Sequence, residues 1–221
     1  MDEIIKEIKA RFRGLMDGAT SQSMREKGLG YHLNWGIPVP RLKEMAGEIT
    51  EADSTFSQLL SGRHSLYDLA IALWKEDVRE CKILATMLMP PDEVLPEVID
   101  IWMDQTPTLE IAEQAAFNLY QHLPYAADTA YRWLASPSDM SQICGYHILS
   151  RLFMRGQEPN ERGINEFIDQ CLCAVSSPNV SLRKAAMNAL SHFSDLGLMY
   201  ERIAASAMRT VATSAPAPSA S

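Results

Sequence analysis

Apolar residues recur three and four positions apart along most of this chain, and no segment shows the strict alternation of a half-buried strand. Ile4, Ile5, Ile8, Phe12 and Leu15 form one stripe. Val39, Leu42, Met45 and Ile49 form another, opened by Pro38 and Pro40, where a helix start tolerates proline. Leu66 to Trp74 and Ile83 to Met89 are helical in period, and Asp53 to Ser65 reads as a short helix with loops. Pro90-Pro91-Asp92 breaks the chain and restarts it, with Asp92 placed to cap the next helix.

Beyond this break the pattern becomes periodic. Helices are expected near 92–105, 107–122, 124–135, 139–155, 162–176, 179–194 and 197–212. Their junctions rhyme: Thr106-Pro107-Thr108, Ser136-Pro137-Ser138-Asp139 and Ser177-Pro178-Asn179, spaced by about 30 and 41 residues, the period of a two-helix solenoid unit. The segment from Val180 to Leu190 is rich in alanine and looks like the second helix of a HEAT repeat. One such repeat cannot bury its own apolar face, so stacked repeats share a continuous core. An irregular helical bundle is the alternative. The stretch 213–221 lacks large apolar residues and is expected to be a disordered tail, leaving residues 1–212 as one domain.

The 221 residues are 47% hydrophobic and 22% charged, enough to bury a core. The formal net charge of −8 is awkward for a nucleic-acid binder, which gains affinity by neutralising phosphates. The imbalance is concentrated: residues 1–110 carry 12 basic and 19 acidic side chains, residues 111–221 carry 8 and 9. Any basic surface must therefore be local. No apolar run approaches the roughly 18 residues that span a bilayer, and Met1-Asp2-Glu3 lacks the layout of a secretion signal. A cytoplasmic protein with no membrane partner is expected. Cys81, Cys144, Cys171 and Cys173 sit in apolar helical patterns and read as core residues, with no metal site.

Two segments carry a resemblance. Leu33-Asn-Trp-Gly-Ile-Pro-Val-Pro-Arg-Leu-Lys-Glu-Met-Ala46 holds a Gly-Ile-x-x-Pro-x-Leu-Lys turn into a helix. Leu73-Trp74 is followed by Glu80, Lys82, Leu84 and Ala85. This combination resembles the AlkD-type DNA alkylation repair glycosylases, and the likeness extends over most of residues 20–195. It implies an all-α HEAT-like repeat α-solenoid, an αα superhelix with a concave DNA-binding face and no cofactor. It also implies a chemistry: a carboxylate stabilises the positive charge that grows on the deoxyribose as an alkylated base leaves. Tryptophans flank the sugar, and an arginine holds the phosphate.

Against that pattern the family's Trp-Asp-x-x-Asp segment corresponds here to Leu109-Glu110-Ile111-Ala112-Glu113. Glu113 is then the candidate catalytic carboxylate, and Leu109, Glu110 and Asn188 the candidate concave surface. Gln142 falls at the phosphate-binding arginine, and Asn188 at the last tryptophan. Lys75, Arg79 and Lys82 form the best basic stripe, with Arg183 and Lys184 as a second patch; solvated helix faces are the alternative for both. There is no Gly-x-Gly-x-x-Gly, no phosphate-binding loop and no paired histidines. Three functions stay open: a duplex-DNA-binding member with lost or altered glycosylase activity, an active alkylpurine glycosylase using Glu113, and a protein-interaction scaffold.

Overall fold

The computed structural model describes residues 1–51, 54–60 and 65–214. They form thirteen α-helices in two compact units, Met1–Pro124 and Tyr125–Ser221.

In the first unit α1 (Asp2–Leu15) buries Ile4, Ile5, Ile8 and Phe12. It is followed by α2 (Gly18–Glu26), α3 (Val39–Thr50) and α4 (Thr55–Leu60). Then come α5 (Leu66–Lys75), α6 (Arg79–Leu88), α7 (Pro96–Asp104) and α8 (Leu109–Asn118), with a 3-10 turn at Tyr120–His122. Helix α6 is the hub: α3, α5 and α8 all pack on it, and nine of its ten residues are buried. Trp74 of α5 stacks face to face on Trp102 of α7, ring centroids 4.2 Å apart and planes 3° from parallel. The Trp74 indole N–H donates to Gln105 at 2.9 Å, giving this amphipathic ring the polar partner it needs when buried.

The second unit is more regular. Helices α9 (Ala126–Leu134) and α10 (Asp139–Met154) form one pair, and α11 (Glu161–Val175) and α12 (Val180–Ser194) the next. The pairs stack with α9 on α11 and α10 on α12, and α13 (Leu198–Ser214) closes against α11 and α12. Phe153, Phe167, Phe193 and Tyr200 make a chain of ring contacts through the core, centroids 5.1–5.6 Å apart. The polar junctions work as caps. The Ser138 hydroxyl accepts from Ser141 N–H, and the Asn179 side chain from the N–H groups of Ser181 and Leu182.

Some expectations need correction. Asp92 does not cap α7; Leu95 does, and Pro96 opens the helix at a position where its missing N–H costs nothing. Helix α2, rich in Ser, Thr and Gly, gave no apolar stripe and was not anticipated. Cys173 is exposed, unlike the other three cysteines, because it lies about 200° round the helix from buried Cys171. Thr213 and Ser214 belong to α13, and the rest of the expected tail lies outside the described residues, as do parts of 53–65.

Candidate nucleic-acid interface

The N-terminal ends of α6 and α8 are joined by a buried charge cluster. Arg79, the first residue of α6, is 2% exposed. Its guanidinium makes a two-pronged contact with Glu110 on α8, Nε at 2.9 Å and Nη2 at 2.5 Å. It also donates to Glu80 at 3.1 Å and to the Ile37 carbonyl at 2.9 Å. Glu80 in turn accepts from the backbone N–H groups of Trp35 and Ile37. Tyr31 donates to Glu110 at 2.5 Å and lies 2.7 Å from the hydroxyl of Thr108, the cap of α8. The carboxylates complement two helix N-termini, where negative charge is favoured.

The loop 31–38 is therefore latched between α6 and the start of α2. Arg79 N–H donates to the Leu33 carbonyl beside a parallel bridge between Leu33 and Val78. Asp17 N–H donates to the Trp35 carbonyl at 2.9 Å, and the Ser21 hydroxyl to that of Asn34 at 3.0 Å. Gly36 has φ +71°, and a Cβ there would collide with the Asp17 carbonyl oxygen. The Asn34 side-chain amide is buried without a hydrogen-bond partner.

Charge in the cluster is uneven. Burial works to raise the Glu110 carboxyl, but the bonds from Arg79 and Tyr31 outweigh it and hold the group below its ordinary range. Glu113 lies one turn further along α8 and is exposed. Partial burial, and then the Glu110 charge, raise its carboxyl. Leu109 is half-buried at the start of the same helix.

In the second unit Gln142 and Arg183 occupy matching places, each four residues beyond its helix cap. Gln142 donates to the Ser136 carbonyl at 2.7 Å, and Arg183 to the Ser177 carbonyl at 2.5 Å. Both side chains brace the Ser-Pro turn that precedes their helix. Asn179 at the cap of α12 donates to Asp139 at the start of α10, 2.7 Å away. Deeper along the same pair Asn188 donates to the Ser150 hydroxyl at 3.0 Å. The first unit repeats this bond between α8 and α6, where Asn118 donates to Thr86 at 3.0 Å. Lys184 is exposed.

The expected stripe of Lys75, Arg79 and Lys82 is not a surface feature. Lys75 ends α5 and is exposed. Arg79 is inside the cluster. Lys82 is 7% exposed, donates to the Trp74 carbonyl at 3.0 Å and sits over the Trp74 ring at 4.5 Å. Helical spacing brought these residues to one side of a continuous helix, but residues 76–78 break it. Tyr31, Glu80, Thr86, Thr108 and Ser150 were missed as partners. Of these only Glu80 carried a signal, as part of the Leu73–Ala85 segment. Charge also divides by unit. Met1–Pro124 has 12 basic and 20 acidic residues, Tyr125–Ser221 eight of each, so the whole deficit lies in the first. Among the described residues no group of three or more His, Cys, Asp or Glu gathers as a metal site, and no helix is long and apolar enough to cross a membrane.

The family model for DNA alkylation repair enzymes matches residues 8–195. Among solved structures, one described as a new family of proteins related to the HEAT-like repeat DNA glycosylases, with affinity for branched DNA structures, superposes with a TM-score of 0.77. The match is at 15% sequence identity, over 93% of this chain and 82% of that one. The fold is thus an all-α HEAT-like repeat array. No curated protein matches the chain.

Proposed function

Because the chain belongs to the DNA alkylation repair enzyme family, we propose that it is a cytoplasmic, duplex-DNA-binding member whose base-excising chemistry is lost or altered. One observation carries this reading: Glu110, an acid at the start of α8, is committed to Arg79 and Tyr31. A carboxylate that stabilises a developing cation must be ionised, correctly placed and not already neutralised. Glu113 is accessible, but it lies one turn from the Glu110 charge and its carboxyl is raised by partial burial and by that charge. Leu109 offers no aromatic face to a sugar. The Gln142 amide already serves the Ser136 carbonyl and brings no charge to a phosphate.

DNA contact falls to exposed side chains on the second helices of the repeats, Lys184 above all, in the unit without net negative charge. The solved relative is described as having affinity for branched DNA, which makes branched duplexes a probe here. A second reading, an active glycosylase using Glu113, draws support from the exposure of that residue.

The deciding experiment pairs anisotropy titrations at graded salt, on plain, abasic, methylated and branched duplexes, with a base-release assay. Salt-sensitive binding without release is expected. Robust excision of a methylated purine, lost in Glu113→Gln, favours the second reading. Absence of saturable binding to any duplex removes both.

A further inference from the structure

A cavity of about 510 Å³ opens in the second unit between α9 and the turn that leads from α10 into α11. Its size is that of a small-molecule site. Its apolar lining comes from Leu149, Leu152 and Phe153, all buried. Tyr131 of α9 also lines it, and the Tyr131 hydroxyl is buried with no hydrogen-bond partner. Gly163 is what admits this ring: a Cβ there would lie 2.8 Å from the Tyr131 oxygen.

The charged lining is Asp128, Glu158 and Glu166 against Arg162 alone. Glu158 accepts a hydrogen bond from Tyr200 at 3.0 Å. The N-terminus of α11 also borders the cavity, and by itself would favour an anion. Asn160 caps it, however, with its side chain accepting from Gly163 N–H at 2.8 Å. Acidic charge beside the apolar wall of Leu149, Leu152 and Phe153 selects a cation with a hydrocarbon stem.

We propose that this cavity binds a small organic cation with an apolar stem, an alkylguanidinium or alkylammonium ion, with Asp128 and Glu166 as its counter-charges. The site is independent of DNA binding and of any carboxylate chemistry on α8.

The test is a calorimetric and NMR titration of the full chain with butylguanidinium, butylammonium and the uncharged butylurea at low salt. Saturable binding of the cations is expected, with butylurea at least about tenfold weaker because it lacks the charge. Asp128→Asn with Glu166→Gln should weaken cation binding about tenfold or more, while Arg162→Gln should tighten it by removing a like charge. Unchanged circular dichroism and Tm in these surface variants keep folding out of the result. No saturation by any cation, equal binding of butylurea, or affinities indifferent to both charge variants would each overturn the proposal.

Discussion

Arg79 shows how much of this protein's local order rests on one side chain. Its guanidinium holds two carboxylates and a carbonyl, and each contact depends on the planar fork. Arg79→Met leaves Glu80 and Glu110 without a counter-charge, and breaking a buried pair in this way costs on the order of 3–5 kcal/mol. Urea unfolding should show that loss, with Arg79→Lys recovering only part of it. The acid dependence follows in sign. The Glu110 carboxyl is depressed in the folded state, so its contribution is present above the ordinary value of 4.5 and is lost as pH falls through the folded value. Acid should therefore weaken the parent more steeply than the Arg79→Met variant. Glu113 runs the other way. Its carboxyl is raised, so Glu113→Gln should stabilise slightly at neutral pH and make no difference once acid protonates the parent residue. At this scale the sequence was a poor guide. Glu110 and Glu113 were visible as two acids on one helix face, but the partner that separates their fates, Arg79, lies 31 residues earlier. Only packing shows that it is buried.

At the scale of elements, the repeat is written in its junctions. Ser-Pro turns, capping Ser138 and Asn179, and the braces from Gln142 and Arg183 follow one another at the same offset of 41 residues, so the helices after residue 105 were legible within a few positions. What failed was the same rule applied without a junction of that kind. Asp92 is chemically a cap, yet Pro96 sets the start of α7. Gln142, whose position in the family pattern suggests a phosphate contact, is one of these braces. Gln142→Ala should cost about 0.5–1.5 kcal/mol, the net worth of one hydrogen bond, and leave the salt dependence of DNA binding unchanged. A reduced salt slope in Gln142→Ala would return that residue to the DNA contact surface. Gly36→Ala should be far worse, since it combines a left-handed backbone with a collision against Asp17.

Across the whole molecule, the net charge of −8 hides two different bodies, one carrying the entire deficit and one balanced. The composition alone argued against nucleic acid; the distribution restricts that argument to Met1–Pro124. Each lysine that truly meets a phosphate contributes about 0.9 to the slope of log affinity against log salt. Lys184→Glu should lower that slope by roughly one such step, and Lys75→Glu tests the exposed remnant of the stripe in the same assay. An unchanged slope in both would place the contacts elsewhere. The family and its fold were readable because the resemblance rests on Gly36, Ile37, Trp74, Glu80 and Lys82, residues that latch a loop and fill a core. They identify the scaffold for the same reason that they say little about catalysis.

The stacked indoles of Trp74 and Trp102 offer an optical consequence. Two indoles stacked 4.2 Å apart are held rigidly in one asymmetric environment, so the near-ultraviolet circular dichroism should carry strong tryptophan bands. Those bands belong to the first unit, while Trp133 is the one tryptophan in the sequence of the second. Heating the parent protein while following those dichroic bands, and separately a Trp35→Phe, Trp74→Phe, Trp102→Phe variant while following Trp133 fluorescence, would clock the melting of each body by its own light.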